Sequence, residues 1–107
     1  NTYSHMYQSE EDKAVALISH FPLVVAQALC ENIKDNKLAQ ALASSGFRDT
    51  TRLALSNVQM ASDMVELNCE NIEKAYKTFQ ECFENIIKSS YKQSADRIKD
   101  FRKNLYN

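Results

Sequence analysis

The chain has 107 residues, of which 44% are hydrophobic and 25% charged, with a formal charge of −1. This fits one small soluble domain, and the near-neutral balance excludes the broad basic field that nucleic-acid binding uses. No apolar run approaches the ~20 residues of a membrane span, there is no signal-peptide pattern, and a cytoplasmic protein is expected.

Residues 1–8 are polar and aromatic without helical period and read as a lead-in, leaving 9–107 as the domain. One glycine and one proline with scarce β-runs predict an all-α fold. Ser9 offers an N-cap to a first helix from about Glu10 to Lys34, with Glu10, Glu11 and Asp12 as an acidic first turn. Its apolar stripe is Ala14, Leu17, Ile18, Phe21, Val25, Leu29 and Ile33. Pro22 removes the bond to the Ile18 carbonyl and disfavours helical geometry at Phe21, which predicts a kink beside Ser19-His20.

A polar break at Asp35-Asn36 precedes a short helix, about Lys37 to Ser44, with Gly46 suited to its C′ position. Asp49 or Thr50 can cap a further short helix through Leu55. Ser56-Asn57-Val58-Gln59 matches a capping box and opens the longest element, about Asn57 to Lys88. Val65, Cys69, Ile72, Tyr76, Phe79, Phe83 and Ile86 form a heptad seam along it. At ~1.5 Å per residue this helix would span close to 50 Å, more than a domain of this size is wide, so an intertwined homodimer is expected. A last helix runs from about Ser90 to Leu105.

Cys30, Cys69 and Cys82 fall at apolar helical positions and read as buried free thiols of a reducing compartment. The histidines and cysteines lack metal-site spacing, so no metal is expected.

The chemistry is expected at Ser45-Gly46-Phe47-Arg48-Asp49-Thr50-Thr51-Arg52. A lone glycine suggests a left-handed turn. Arg52, in the first turn of a helix starting after Asp49, would oppose the helix dipole, and Arg48 four residues away would repel it unless an anion lay between them. A salt bridge from Asp49 to either arginine competes evenly with a bound carboxylate or phosphate. His20, beside the proline, is either a satisfied helix histidine or a pocket residue. Ser19 is no partner for it, because neighbours on a helix point apart.

Two segments together resemble the C-terminal domain of prephenate dehydrogenase. They are Asp12-Lys13-Ala14-Val15-Ala16-Leu17-Ile18-Ser19-His20-Phe21-Pro22 and Gly46-Phe47-Arg48-Asp49-Thr50-Thr51-Arg52-Leu53-Ala54. The resemblance continues through Ser56, Met60, Asp63, Asn68 and Asn71 and covers about residues 6–88. It implies an all-helical substrate and dimerisation domain, like the C-terminal domains of 6-phosphogluconate-type dehydrogenases, with long helices in an intertwined dimer. It also implies oxidative decarboxylation of prephenate or arogenate, with NAD or NADP held mainly by a separate N-terminal domain and no activity in this domain alone.

By the same resemblance Arg52 would bind a substrate carboxylate, and His20, Gly46 and Ser45 would shape the substrate pocket. Asp49 and Arg48 would hold the turn through an ion pair, with Thr51 and Pro22 as further supports. No catalytic residue is implied here, because the histidine that polarises the ring hydroxyl belongs to the nucleotide-binding domain. Glu11, Ser45, Val58 and Ala61 depart from the family's common histidine, glycine, proline and tryptophan. The rival reading is a free-standing helical interaction module in which the heptad seam is the function.

Overall fold

The computed structural model describes residues 9–107, and the lead-in expected over 1–8 lies outside the described residues. Every regular element among the described residues is a helix, as the composition predicts. Helix α1 (Glu10–Val15) starts on Ser9, whose hydroxyl accepts the Asp12 N–H at 3.1 Å. A π-helical turn (Ala16–His20) then runs directly into α2 (Phe21–Asn32).

The predicted kink is replaced by that π turn. The Phe21 N–H reaches back five residues to the Ala16 carbonyl, so the wider ring absorbs the bond that Pro22 cannot make. Phe21 itself stays helical, with φ −65° and ψ −47°, and Pro22 lies in the first turn of α2, where its missing N–H costs little. The wider turn also shifts the phase of the apolar stripe. Ala16, Phe21, Leu23 and Ala26 are buried, while the expected Leu17 and Ile18 are exposed.

Taken as one rod, Glu10–Asn32 is long and apolar enough to cross a membrane, with a mean hydropathy of 1.6 over its most apolar window, contrary to the sequence expectation. The same segment supplies most of the buried apolar side chains. Burying them against other helices is how a core helix uses such a composition. Ala16 and Phe21 cluster with Ile72 and Ala75, and Val24, Val25 and Val65 pack against the cluster.

Helix α3 (Lys37–Leu42) is capped by Asn36, whose side-chain oxygen accepts from the Ala39 N–H at 2.9 Å. The Gln40 amide donates to the Ile33 and Lys34 carbonyls, both at 2.9 Å, and so ties down the end of the preceding helix. Ala43 and Ser44 turn the chain in extended geometry, and α4 (Ser45–Thr50) follows. Asp49 and Thr50 therefore lie inside this helix instead of capping the next one. A 3₁₀ turn (Arg52–Leu55) comes next and packs against α2.

Helix α5 (Val58–Leu67) is capped by Asn57, not Ser56: the Asn57 side-chain oxygen accepts from the Met60 N–H at 3.0 Å. The Ser56 hydroxyl is occupied, donating to the Leu53 carbonyl at 2.6 Å. The single long helix expected over 57–88 is two helices, because Asn68 (φ −111°, ψ 21°) separates α5 from α6 (Cys69–Lys88). Twenty residues make α6 about 30 Å long. Helix α7 (Tyr91–Leu105) starts on Ser90, whose hydroxyl accepts from Gln93.

The chain divides after Ala75 into two units. The first holds the core described above. In the second, Tyr76–Asn107, Ser94 is the one buried residue. Tyr76, Phe79, Phe83, Ile87, Tyr91, Ile98, Phe101 and Leu105 are all exposed there. Phe79 and Phe83 meet along α6 at a tilt, with ring centroids 6.3 Å apart and planes 46° from parallel, and the Arg102 guanidinium covers the Tyr106 ring. The three cysteines are free, but Cys69 and Cys82 are exposed and Cys30 is half-buried, against the expectation of buried thiols. Both exposed thiols lie on α6, whose length leaves much of its surface uncovered by this chain.

Candidate functional site

Gly46 is the second residue of α4, and among the described residues no glycine has positive φ. The left-handed turn inferred from its rarity is absent: Ala43 and Ser44 lead into α4 in extended geometry open to any residue. What distinguishes Gly46 is space: a Cβ placed on it would meet nothing within 4 Å. Ser45 and Gly46 thus present an open stretch of exposed backbone at the start of α4.

The arginines are also placed differently from expectation. Arg48 lies in the last turn of α4 and Arg52 just beyond it, opening the 3₁₀ turn. The C-terminal end of a helix favours cations, so the dipole argument for a misplaced Arg52 does not hold. Arg48, Asp49 and Arg52 are exposed, and among the described residues none of them forms an ion pair. The ion pair expected between Arg48 and Asp49 is therefore not what holds the turn. Hydroxyls do that: Thr50 donates to the Gly46 carbonyl at 2.8 Å and Thr51, which is buried, donates to the Phe47 carbonyl at 2.7 Å. Arg52 is left on a turn fixed by its neighbour Thr51, with its guanidinium available.

His20 closes the π turn and is buried. Its Nδ1 lies 3.1 Å from Asn68 Nδ2, which also donates to the Asp12 carbonyl at 3.1 Å. Asn68 in turn accepts from the Asn71 amide at 2.8 Å through its Oδ1. The break between α5 and α6 thereby places a buried amide against the histidine. The family resemblance includes Asn68 and Asn71 but implies no role for either; the signal in the sequence is two amides three residues apart beside a seam of apolar residues. Pro22, half-buried, follows His20 into α2, the helix against which the Arg52 turn packs. Both motif segments are thus built onto the same helix.

Of the departures, Ala61 is buried and Glu11 exposed. Between α2 and α5 lies an open cavity of about 230 Å³, lined by Gln27, Val58, Ala61, Ser62, Val65 and Glu66. Among the described residues no group of three His, Cys, Asp or Glu side chains could hold a metal. Lys34 is the titrating group with a shift to note: its hydrogen bond with Glu31, and that carboxylate's charge, raise its pKa.

An all-helical unit with a built histidine network, followed by a helical pair whose residues are nearly all exposed, defines the class: an all-helical domain. The family model for the prephenate dehydrogenase dimerization domain matches residues 8–105, and the chain belongs to that family. It is 31% identical over 105 residues to a prephenate dehydrogenase of Bacillus subtilis, covering 94% of this chain and 28% of the relative. It is 29% identical over 96 residues to a prephenate dehydrogenase of Lactococcus lactis, covering 86% of this chain and 27% of that protein. The chain therefore spans about a quarter of the length of the curated relatives it matches. No solved structure matches it significantly.

Proposed function

We propose that this chain is the substrate-binding and dimerisation domain of a cytoplasmic prephenate or arogenate dehydrogenase in tyrosine biosynthesis. In that reaction a hydride passes from the ring to the nicotinamide of NAD or NADP. The ring carboxylate leaves as carbon dioxide and the ring becomes aromatic. A single glycine cannot build the dinucleotide fingerprint, so the cofactor is held by another domain and this chain alone gives no turnover.

The observation that carries the reading is the family match across 8–105 joined to an exposed Arg52 that forms no ion pair among the described residues. Arg52 binds a substrate carboxylate, the chemistry for which a guanidinium fork is suited. Ser45 and Gly46 supply open backbone to the substrate, His20 a polar ring, and Thr51 and Pro22 the turns that place these groups. Arg48 and Asp49 keep a supporting role only through the α4 backbone they belong to.

Dimerisation is supported by the second unit, 32 residues long by its bounds Tyr76–Asn107, with one buried residue. Such a segment cannot bury enough surface by itself, and a second copy of the chain covers it. The test is steady-state oxidation of prephenate by the full-length enzyme carrying Arg52→Ala. A kcat/KM equal to the parent's would exclude Arg52 as the carboxylate ligand.

A further inference from the structure

The contacts around Asn68 fix which way its amide points. Asn68 Nδ2 is 3.1 Å from the Asp12 carbonyl oxygen, which can only accept, and Asn68 Oδ1 accepts from Asn71 Nδ2 at 2.8 Å. Turning the Asn68 amide over would set oxygen against oxygen at Asp12 and nitrogen against nitrogen at Asn71. The atom facing His20 Nδ1 at 3.1 Å is therefore an NH₂ group, a donor. Nδ1 must then accept, and the hydrogen of the neutral imidazole lies on Nε2.

We infer that Asn68 is a positioning residue that holds His20 in the Nε2–H tautomer, making the ring a hydrogen-bond donor to a ligand oxygen and not a proton acceptor. Its consequence for substrate rests on the reading that His20 borders the substrate site; the tautomer itself does not. The ligand group it suits is a carboxylate, carbonyl or hydroxyl oxygen. The device is built from elements far apart in sequence. Asp12 and His20 come from either end of the α1–π segment, and Asn68 from the break between α5 and α6. Burial of His20, Asn68 and Asn71 keeps water from substituting for either partner.

The test is ¹⁵N NMR of the His20 ring in this chain at about pH 8.5, well above the ordinary imidazole value. The expected spectrum shows a protonated Nε2 and a hydrogen-bonded, unprotonated Nδ1. A ring protonated at Nδ1 in the parent protein overturns the inference. Asn68→Asp replaces the donor with an acceptor and should move the hydrogen to Nδ1. If that variant fails to fold, Asn68→Ala removes the donor and should raise the Nδ1–H fraction severalfold; a folded variant with the parent's tautomer overturns the inference. The substrate reading fails separately: an unchanged KM for prephenate in the full-length His20→Ala enzyme would remove His20 from the site, while the NMR result still decides the role of Asn68.

Discussion

Asn71, in the first turn of α6, donates its side-chain amide to Asn68 Oδ1 at 2.8 Å and so completes a chain of polar groups that reaches His20 and Asp12. Replacing Asn68 with alanine removes a hydrogen bond from three groups at once and takes from His20 Nδ1 its donor, while the Asp12 carbonyl keeps the Ala16 N–H. Each buried group left without its partner costs about 1–3 kcal/mol, and the site can relax only partly. Asn68→Ala is expected to lower unfolding stability by roughly 2–4 kcal/mol in urea melts. A loss under about 0.5 kcal/mol would mean that the network is not formed in solution.

Gly46→Ala separates conformation from ligand space. The position is helical without positive φ, and an added Cβ meets open space. Alanine should therefore stabilise the domain by about 0.4–1 kcal/mol, as expected for Gly→Ala at a compatible site. In the full-length enzyme the same methyl would occupy space assigned to substrate and raise KM for prephenate. A destabilised variant would restore the left-handed turn; a stabilised one with the parent's KM would remove Gly46 from the site.

The two arginines should behave differently. If Arg52 holds the carboxylate as proposed, Arg52→Ala should remove a charge-assisted bond of about 1.5–3 kcal/mol, a loss of roughly 10- to 150-fold in kcat/KM. Arg52→Lys keeps the charge but not the fork and should recover only part of it. Arg48→Ala, at an exposed side chain without an ion pair among the described residues, should shift thermal stability by less than about 0.5 kcal/mol. Equal kinetic losses at both positions would contradict the assignment of the carboxylate to Arg52.

Association rests on the second unit. Sedimentation at micromolar concentration should show a dimer. The double substitution Phe79→Glu and Phe83→Glu places two charges in an exposed aromatic stripe that a partner would bury, and should yield monomers. A dimer that survives both charges, or a monomeric parent, would move the interface away from this face.

Much of the helical order was readable from local chemistry. Ser9 and Ser90 announce their helices because a hydroxyl before a helical run has a free N–H to accept. Pro22 announces a disturbance, but its form depended on whether the chain bends or widens its ring, which packing decides. The rarity of Gly46 does not signal conformational need, since its φ is not positive and its Cβ side is open. The Asn68 break is not legible locally because the apolar seam of Val65, Cys69 and Ile72 runs across it, and two of its partners lie 48 and 56 positions away. For the site, the motifs pointed to Arg52 and His20, but the hydrogen-bonding state of His20 is a property of tertiary structure. The expected Arg48–Asp49 pair shows the opposite limit, since adjacent opposite charges need not meet when water solvates both.

The π turn at Ala16–His20 carries one residue more than an α-helix would use to cover the same distance. One surplus residue rotates everything after it by roughly 100° about the helix axis relative to everything before it. Asp12 is thus not in α-helical phase with Phe21 and Leu23, although no cap or loop separates them. Removing a single residue between 16 and 20 would take out the surplus and turn α1 by that angle relative to α2. The carbonyl of Asp12 and the ring of His20 could then no longer meet the same amide, so the fold would keep its helix and lose its histidine's setting.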